Sequence, residues 1–235
     1  KHSLIFPFMA EKKSVGIFYF SGTGNTEIVA ALMAKGFENK GSTCEIYRIE
    51  DMMKGRIQLE IEKYDIIGMG HAVHALNAPK IFFDFIKRLP PGNKEIFLFK
   101  SSGDPFMRGG ATTMIRDRLN QKGYHVFYEA LIVMPSNVLV RYDDRLVKQL
   151  YETAVRKADK MVDDILAGKM NLQENDAVKR ILTGLVSGLG FWLPHFLGNR
   201  RAIFSPVLLG LAVSTGLVAQ LFPTLGLLPF VTLLS

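Results

Sequence analysis

The chain has a single cysteine, Cys44, among its 235 residues. This excludes a disulfide framework within the chain and any iron–sulfur cluster held by several cysteine ligands. Because Cys44 lies in a segment where apolar residues alternate, we expect a structural thiol. One isolated cysteine is consistent with a reducing compartment.

A concentrated basic patch is also absent. The chain carries 29 Lys and Arg against 22 Asp and Glu, and residues 1–168 carry 24 against 20. Charges of both signs are mixed along the predicted helix faces, which is typical of a solvated surface. Nucleic-acid binding requires a basic face with interleaved aromatic residues, so no nucleic-acid partner is expected.

The turn that follows the first apolar strand contains neither Lys nor Arg. The run F-Y-F-S-G-T-G-N-T at 18–26 predicts a buried strand, a turn rich in glycine and hydroxyl groups, and then a helix. The N–H groups of the first helical turn and the positive end of the helix dipole would face an anion in this turn. A triphosphate loop would need a Lys, and a dinucleotide loop would need a glycine where Glu27 stands. A monophosphate site remains, with a helix cap that binds nothing as the alternative.

Strand and helix patterns alternate along most of the chain. Strands are predicted at 15–20, 43–49, 64–69, 95–100 and 125–133, and helices at 25–39, 78–89, 110–122 and 143–166, with a short helix or loop at 51–61. This alternation predicts an α/β fold, a three-layer sandwich around a five-stranded parallel sheet. In the expected strand order 2-1-3-4-5, a ligand binds at the carboxyl ends of the strands, at the switch between strands one and three.

Three segments resemble the ligand-binding loops of flavodoxins. S-G-T-G-N-T at 21–26 resembles the flavodoxin loop that binds the phosphate of FMN, and it is the most specific of the three. G-M-G-H-A-V-H-A-L-N-A-P at 68–79 and F-L-F-K-S-S-G-D at 97–104 fall where flavodoxins place loops that contact the flavin. M-P-S-N at 134–137, followed by Y-D-D-R-L-V-K-Q-L, resembles the end of the flavodoxin domain in a two-domain family that continues into a ferredoxin.

The resemblance implies FMN as the cofactor, held by three loops. The implied cofactor-binding residues are Ser21, Gly22, Thr23, Gly24, Asn25 and Thr26 in the first loop, His71, Ala72, Val73 and His74 in the second, and Ser101, Ser102, Gly103, Asp104 and Phe106 in the third. His74 and Phe106 are the aromatic rings available to cover the flavin. Because the flavin carries the chemistry, no catalytic side chain is predicted.

The second loop also contains an H-x-x-H pair, His71 and His74. This spacing suggests a metal site, but no third ligand lies nearby in the sequence, so no metal is predicted. Histidines at the surface of a loop, without a functional role, are the simpler interpretation.

These features predict an FMN-binding electron-transfer protein in the cytoplasm. The first alternative is an FMN-dependent NAD(P)H–quinone or nitro-group reductase. The second is a membrane-associated module that keeps the fold without the flavin. Since residues 1–168 have a positive balance of charge, the expected redox partner has an acidic docking face.

The two ends of the chain are predicted to lie outside the flavin-binding domain. Residues 1–13 are expected to form an extension, residues 14–168 the domain, and residues 169–235 an apolar tail. Residues 202–235 carry no formal charge, and the 21 residues at 202–222 match the roughly 20 needed to cross a bilayer.

Three alternatives to a membrane anchor stay open for this tail. It would dock on the domain, form a hairpin of buried helices, or be the remnant of a ferredoxin. The ferredoxin spacing C-x2-C-x2-C-x3-C fits Ala212, Thr215, Val218 and Phe222, none of which is a cysteine. If a membrane holds the tail, Arg200 and Arg201 predict that the domain lies on its cytoplasmic face.

Overall fold

The computed structural model of the protein describes residues 12–73, 77–103, 111–135 and 142–172. Residues 1–73, 78–108 and 112–175 belong to one compact unit. A second unit comprises residues 74–77, 109–111 and 176–235, and almost all of it lies outside the described residues. The predictions for the N-terminal extension and for most of the apolar tail therefore remain predictions.

Five strands alternate with five α-helices in the described residues. The strands are β1 (Ser14–Phe20), β2 (Thr43–Arg48), β3 (Ile66–Ala72), β4 (Glu95–Ser102) and β5 (His125–Val133). The helices are α1 (Asn25–Asn39), α2 (Ile49–Met53), α3 (Lys80–Arg88), α4 (Ala111–Gln121) and α5 (Asp144–Leu166), with a short 3-10 helix at Ile61–Lys63.

The strands form one parallel sheet in the order β2-β1-β3-β4-β5. The predicted α/β class, strand count and strand order are confirmed. β1 lies between β2 and β3, so the strand order reverses beside it. The carboxyl ends of β1 and β3 flank this switch point, which is where sheets of this kind bind ligands.

Element boundaries differ from the sequence prediction mainly at the carboxyl ends of β3 and β4. β3 continues to Ala72 and β4 to Ser102, so part of each predicted loop belongs to the sheet. The ladder continues even further, because Val73 N–H donates to the Ser101 carbonyl (2.9 Å) and Met134 N–H donates to the Ser102 carbonyl (2.9 Å). At the other side of the sheet, β2 ends at Arg48 because Ile49 begins α2.

One face of the sheet packs against α1 and α5 through a buried apolar cluster. In this layer, aromatic rings from β4 lie over glycines of β3. A Cβ atom on Gly70 would overlap the ring of Phe99, and one on Gly68 would overlap the ring of Phe97. Glycine at these two positions therefore creates the space that the rings fill.

The opposite face packs against α2 and α3 around the ring of Phe18. The Phe18 ring centroid lies 5.7 Å from that of Tyr47, 6.0 Å from that of Tyr64 and 6.0 Å from that of Phe85. Aromatic pairs at these distances add to the stabilisation from buried area. This cluster joins β2, the segment before β3, and α3 to β1.

A polar cluster holds the exposed edge strand β2 in place. Glu45 accepts hydrogen bonds from the hydroxyls of Tyr64 and Tyr47, and it pairs with Lys63 at 2.7 Å. The hydrogen bond from Lys63, then those from the two tyrosines, lower the pKa of Glu45 to about 2. Cys44, the neighbouring residue, is half-buried, and burial is the main cause that raises the pKa of its thiol to about 12.

The outer edge of β5 is paired with the chain that follows α5. Asn171 N–H donates to the Phe127 carbonyl at 3.0 Å, and Glu129 N–H donates to the Asn171 carbonyl at 2.7 Å. The Asn171 side-chain amide also donates to the Glu129 carbonyl at 3.2 Å. A short parallel segment thus covers part of the edge of β5, where unpaired backbone groups would otherwise invite association.

Asp164 of α5 fixes the start of this segment. Its carboxylate accepts hydrogen bonds from Lys169 Nζ at 2.6 Å and from the Tyr128 hydroxyl at 3.2 Å, and its side chain is 8% exposed. The hydrogen bonds from Lys160 and Lys169 lower the pKa of Asp164 to about 2.

No helix in the described part of the chain has the length and apolar character required for a membrane span.

Gly70→Ala is expected to destabilise the fold by about 1–3 kcal/mol, because the added methyl group overpacks the layer beneath Phe99. Gly22→Ala is a matched control, since an added Cβ there meets no atom within 4 Å, and we expect a change within about 0.5 kcal/mol. Urea unfolding of the two variants measures the difference. Equal losses of stability would contradict the close packing described here.

Asp164→Asn is expected to lower the melting temperature near neutral pH. Since the folded-state pKa lies below the unfolded value of about 4, the carboxylate stabilises the fold above that pH, and this contribution disappears as the pH falls toward 2. The gap between variant and wild type should therefore close between about pH 4 and pH 2. Asp159→Asn is the comparison on the same helix, because its side chain is 60% exposed and its ion pair with Lys40, at 2.7 Å, is a surface pair that contributes little to stability. A gap for Asp164→Asn that stays constant with pH would contradict this role.

Candidate functional site

The turn between β1 and α1 is closed by its own hydrogen bond. The N–H group of Gly24 donates to Ser21 Oγ at 3.1 Å, and Ser21 is buried. Gly24 is the N-cap of α1 with φ +92°, a left-handed conformation that glycine adopts without strain. The Gly24 carbonyl accepts the Ile28 N–H at 2.9 Å, the first hydrogen bond of the helix. The sequence S-G-T-G therefore ends the strand and starts the helix within four residues.

The space above this turn is open. An added Cβ on Gly22 or on Gly24 would meet no atom within 4 Å. The first N–H groups of α1 have no partner within the helix, as at any helix N-terminus, and the positive end of the helix dipole favours an anion there. An uncrowded glycine turn at a helix N-terminus is an arrangement that commonly binds phosphate.

Two side chains of the turn fasten it to distant strands. Asn25 Nδ2 donates to the Pro135 carbonyl, just after β5, at 2.7 Å. Thr26 Oγ1 and Ser101 Oγ on β4 share a buried hydrogen bond of 2.8 Å. The predicted donors Asn25 and Thr26 thus make the turn rigid, and Ser21 acts as an acceptor within it. Backbone N–H groups are left as the main donors to a bound anion.

Glu27 stands where a dinucleotide loop would have its third glycine. It lies in the first turn of α1 and hydrogen-bonds to the buried side chain of Tyr19 on β1. Burial, and then the charge of Glu27, raises the pKa of Tyr19 to about 12. The phenol therefore stays protonated near neutral pH and keeps the helix start attached to the end of β1.

His71 of the second segment is buried, not on the surface of a loop. It lies in β3, it is 1% exposed, and its ring centroid is 4.9 Å from that of Phe82. Its Nδ1 lies 3.0 Å from the Ala72 carbonyl oxygen. The expectation of a surface histidine is therefore wrong for His71, because β3 extends further than the sequence pattern indicated. His74 lies outside the described residues.

The third segment begins inside β4. Ser101 and Ser102 are strand residues, and Gly103 follows them at the carboxyl end of the sheet. The preceding residue, Lys100, is 2% exposed, and its Nζ donates to Thr112 Oγ1 of α4 at 2.8 Å. Asp104 and Phe106 lie outside the described residues, so their predicted contacts with a flavin stay predictions.

The structure adds two residues to this region that were not among the predicted cofactor-binding residues. The carbonyl of Pro135 receives the Asn25 side chain, and the hydroxyl of Tyr142 donates to the Gly103 carbonyl at 3.4 Å. Tyr142 thereby brings an aromatic ring to the third segment from a point just before α5. The motif M-P-S-N was a signal for Pro135, but Tyr142 lies 39 residues from its partner, and no local pattern marks such a contact.

The carboxyl ends of β1, β3, β4 and β5 therefore meet around one site. Among the residues predicted for it, Thr26 of the first segment contacts Ser101 of β4. Val73 of the second segment lies beside β4, because its N–H donates to the Ser101 carbonyl. Within the described ranges, no group of three His, Cys, Asp or Glu side chains is arranged to hold a metal ion.

No protein family model matches the sequence. An uncharacterised protein of Methanocaldococcus jannaschii is 30% identical over 105 residues, which are 45% of this chain and 64% of that protein. The chain thus matches less than two thirds of the length of this relative.

Three solved structures are similar over about the same part of the chain. A reduced flavodoxin of Megasphaera elsdenii is 26% identical, with 60% of this chain and 98% of that chain covered and a TM-score of 0.43. Oxidised flavodoxin 1 of Bacillus cereus is 20% identical, with 64% and 97% covered and a TM-score of 0.45. Rubredoxin oxygen:oxidoreductase of Desulfovibrio gigas is 23% identical, with 63% and 36% covered and a TM-score of 0.43.

The fold is flavodoxin-like. This statement rests on the five parallel strands, their order and the helices on both faces of the sheet. It concerns the fold alone, because one fold supports several functions and the residues of the site must carry the rest.

Thr26→Val is expected to destabilise the protein by about 1–3 kcal/mol, because it leaves the Ser101 hydroxyl buried without its partner. Ser101→Ala should have a similar effect. The double variant should cost clearly less than the sum of the two single changes, since neither polar group then remains unsatisfied. Urea unfolding of the four proteins measures this coupling, and strictly additive losses would contradict a direct hydrogen bond.

Proposed function

We propose that this protein binds FMN and transfers electrons. The observation that carries the proposal is the open turn Ser21–Gly24 at the N-terminus of α1, beside the switch point of a flavodoxin-like sheet. Backbone N–H groups there suit a terminal phosphate. FMN, when bound, would supply the redox chemistry, and the protein would hold and orient it.

The chain's own residues suit this role in distinct ways. Thr26 and Asn25 fix the turn against β4 and the end of β5, so its donors are preorganised. The proposed ring-binding segments follow β3 and β4 at the same edge, as expected for a ligand that extends from the turn along the sheet. Tyr142 beside Gly103 is a candidate to pack against the flavin ring, in addition to His74 and Phe106.

The turn offers no side-chain cation for the phosphate, so specificity would come from backbone geometry. Glu27 adds a negative charge at the start of α1, although it is occupied by Tyr19. We infer that affinity for the phosphate is moderate and that contacts with the flavin ring contribute substantially. The proposed redox partner presents an acidic face, since residues 1–168 carry 24 Lys and Arg against 20 Asp and Glu.

Absorbance and fluorescence titration with FMN test the proposal. We expect the protein to bind FMN, and to bind riboflavin about tenfold more weakly, because riboflavin lacks the phosphate that α1 would stabilise. Tyr142→Ala should weaken FMN binding by roughly three- to tenfold if the ring packs on the flavin. A protein that leaves the absorbance and fluorescence of FMN unchanged, and that is colourless once unbound FMN is removed, would rule out the proposed function.

Steady oxidation of NADPH with a quinone would favour the reductase instead of the electron carrier. Both functions would use the same turn, Ser21–Gly24, to bind the phosphate of FMN. A protein that binds FMN and shows no such turnover, yet passes electrons to a protein acceptor in a manner that salt weakens, agrees with the proposed carrier.

A further inference from the structure

Lys100 is a basic side chain that the domain buries almost completely. It is 2% exposed and stands in β4, one position before Ser101. Lysine is rarely buried to this extent, because the removal of an ammonium group from water costs free energy. An apolar side chain of similar length would fill the same position without that cost, so the charge itself requires an explanation.

The ammonium group of Lys100 lies at the carboxyl edge of the sheet. Its Nζ donates to Oγ1 of Thr112, the second residue of α4, at 2.8 Å. Since α4 connects two parallel strands, β4 and β5, it begins at the edge where β4 ends. The positive end of the helix dipole therefore lies close to the ammonium group, and two sources of positive potential favour negative charge near them.

The buried side chains around Lys100 leave a positive balance of charge. On β3, His71 is its register partner, is also buried, and adds no negative charge in either protonation state. On the same face of the sheet, Arg116 of α4 pairs with Glu129 of β5 at 2.8 Å. Among the described residues, the buried charges on this face are therefore two cations and one anion.

Lys100 is also adjacent to residues proposed to hold FMN. Ser101, the next residue, shares a hydrogen bond of 2.8 Å with Thr26 in the first turn of α1. His71, beside Lys100 on β3, begins the second proposed flavin-binding segment. A charge in this position acts on a ligand at the carboxyl edge, because the effective dielectric constant inside a protein is far lower than that of water.

Reduction of FMN by two electrons and one proton adds one negative charge to the flavin. We propose that Lys100 raises the reduction potential of bound FMN, because its charge stabilises the reduced, anionic flavin more than the neutral oxidised ring. The electrons come from the proposed redox partner and the proton from solvent, while Lys100 keeps its own proton. This inference rests on the proposed function, and it assigns Lys100 to tuning the flavin, not to binding it.

A purely structural role is the alternative, in which Lys100 only anchors α4 to β4. Anchoring depends on the hydrogen bond to Thr112, whereas tuning depends on a charge that acts without contact. Two substitutions separate these roles. Thr112→Val removes the hydrogen bond and keeps the charge, and Lys100→Met removes both while it keeps most of the side-chain volume.

The reduction potential of bound FMN tests the proposal. It is measured on the full chain, with dithionite as the reductant and a dye of known potential as the reference. Lys100→Met should weaken the binding of reduced FMN relative to oxidised FMN by about tenfold, which lowers the two-electron potential by about 30 mV. Thr112→Val should change the same ratio less than about twofold, because the charge remains.

Lys12→Met is the matched control for loss of one positive charge. Lys12 is exposed and precedes β1, so it lies at the amino edge of the sheet, away from the candidate site. Because solvent screens an exposed charge at this distance, the variant should leave the ratio of affinities unchanged. Circular dichroism verifies that each variant is folded.

The outcomes separate this proposal from the proposed function. If the wild-type chain does not bind FMN, both fail. If FMN binds and Lys100→Met leaves the ratio unchanged, or Thr112→Val shifts it equally, only the role of Lys100 is overturned. If Lys100→Met does not fold, the wild type decides: we expect the potential of its bound FMN to equal or exceed that of free FMN, and a lower potential would overturn the proposal.

Discussion

Parallel pairing of all five strands is the constraint from which the rest of this structure follows. It brings the carboxyl ends of the strands to one edge of the sheet, so residues far apart in the sequence become neighbours there. Asn25 meets the Pro135 carbonyl across 110 positions, and Thr26 meets Ser101 across 75. A shift of β4 by one residue would turn the Ser101 side chain to the other face of the sheet and remove its hydrogen bond with Thr26. The positions of these residues relative to one another therefore depend on the backbone hydrogen bonds between the strands.

Polar side chains in this protein mainly position structural elements. In the turn after β1, the hydroxyls of Ser21 and Thr26 and the side-chain amide of Asn25 all make hydrogen bonds within the protein. Polar side chains also position α4, where Arg116 and Glu129 form a buried ion pair at 2.8 Å. Removing these two charges from water costs more free energy than burying neutral polar groups. Such a pair contributes little net stability compared with apolar packing, but it strongly disfavours any arrangement that separates its partners. It fixes α4 against the middle of β5.

The sequence was most informative where one local pattern decides the structure. Alternating strands and helices predicted the sheet and its order, and S-G-T-G-N-T predicted the turn, because glycine and hydroxyl groups act within a few residues there. It was less informative at strand ends. Whether β3 ends at Met69 or at Ala72 depends on partners in β4, and His71 was placed on the surface for this reason. The contact of Tyr142 with Gly103 likewise depends on how the chain returns from β5, which no local pattern encodes.

The two halves of α5 differ in how far the apolar core covers them. In the C-terminal half, the small side chains of Ala154 and Ala158 are buried in the cluster shared with α1 and the sheet. In the N-terminal half the helix keeps its amphipathic pattern although no residue before Ala154 is buried. Apolar side chains at helical spacing remain exposed at a cost that packing elsewhere in the domain must offset.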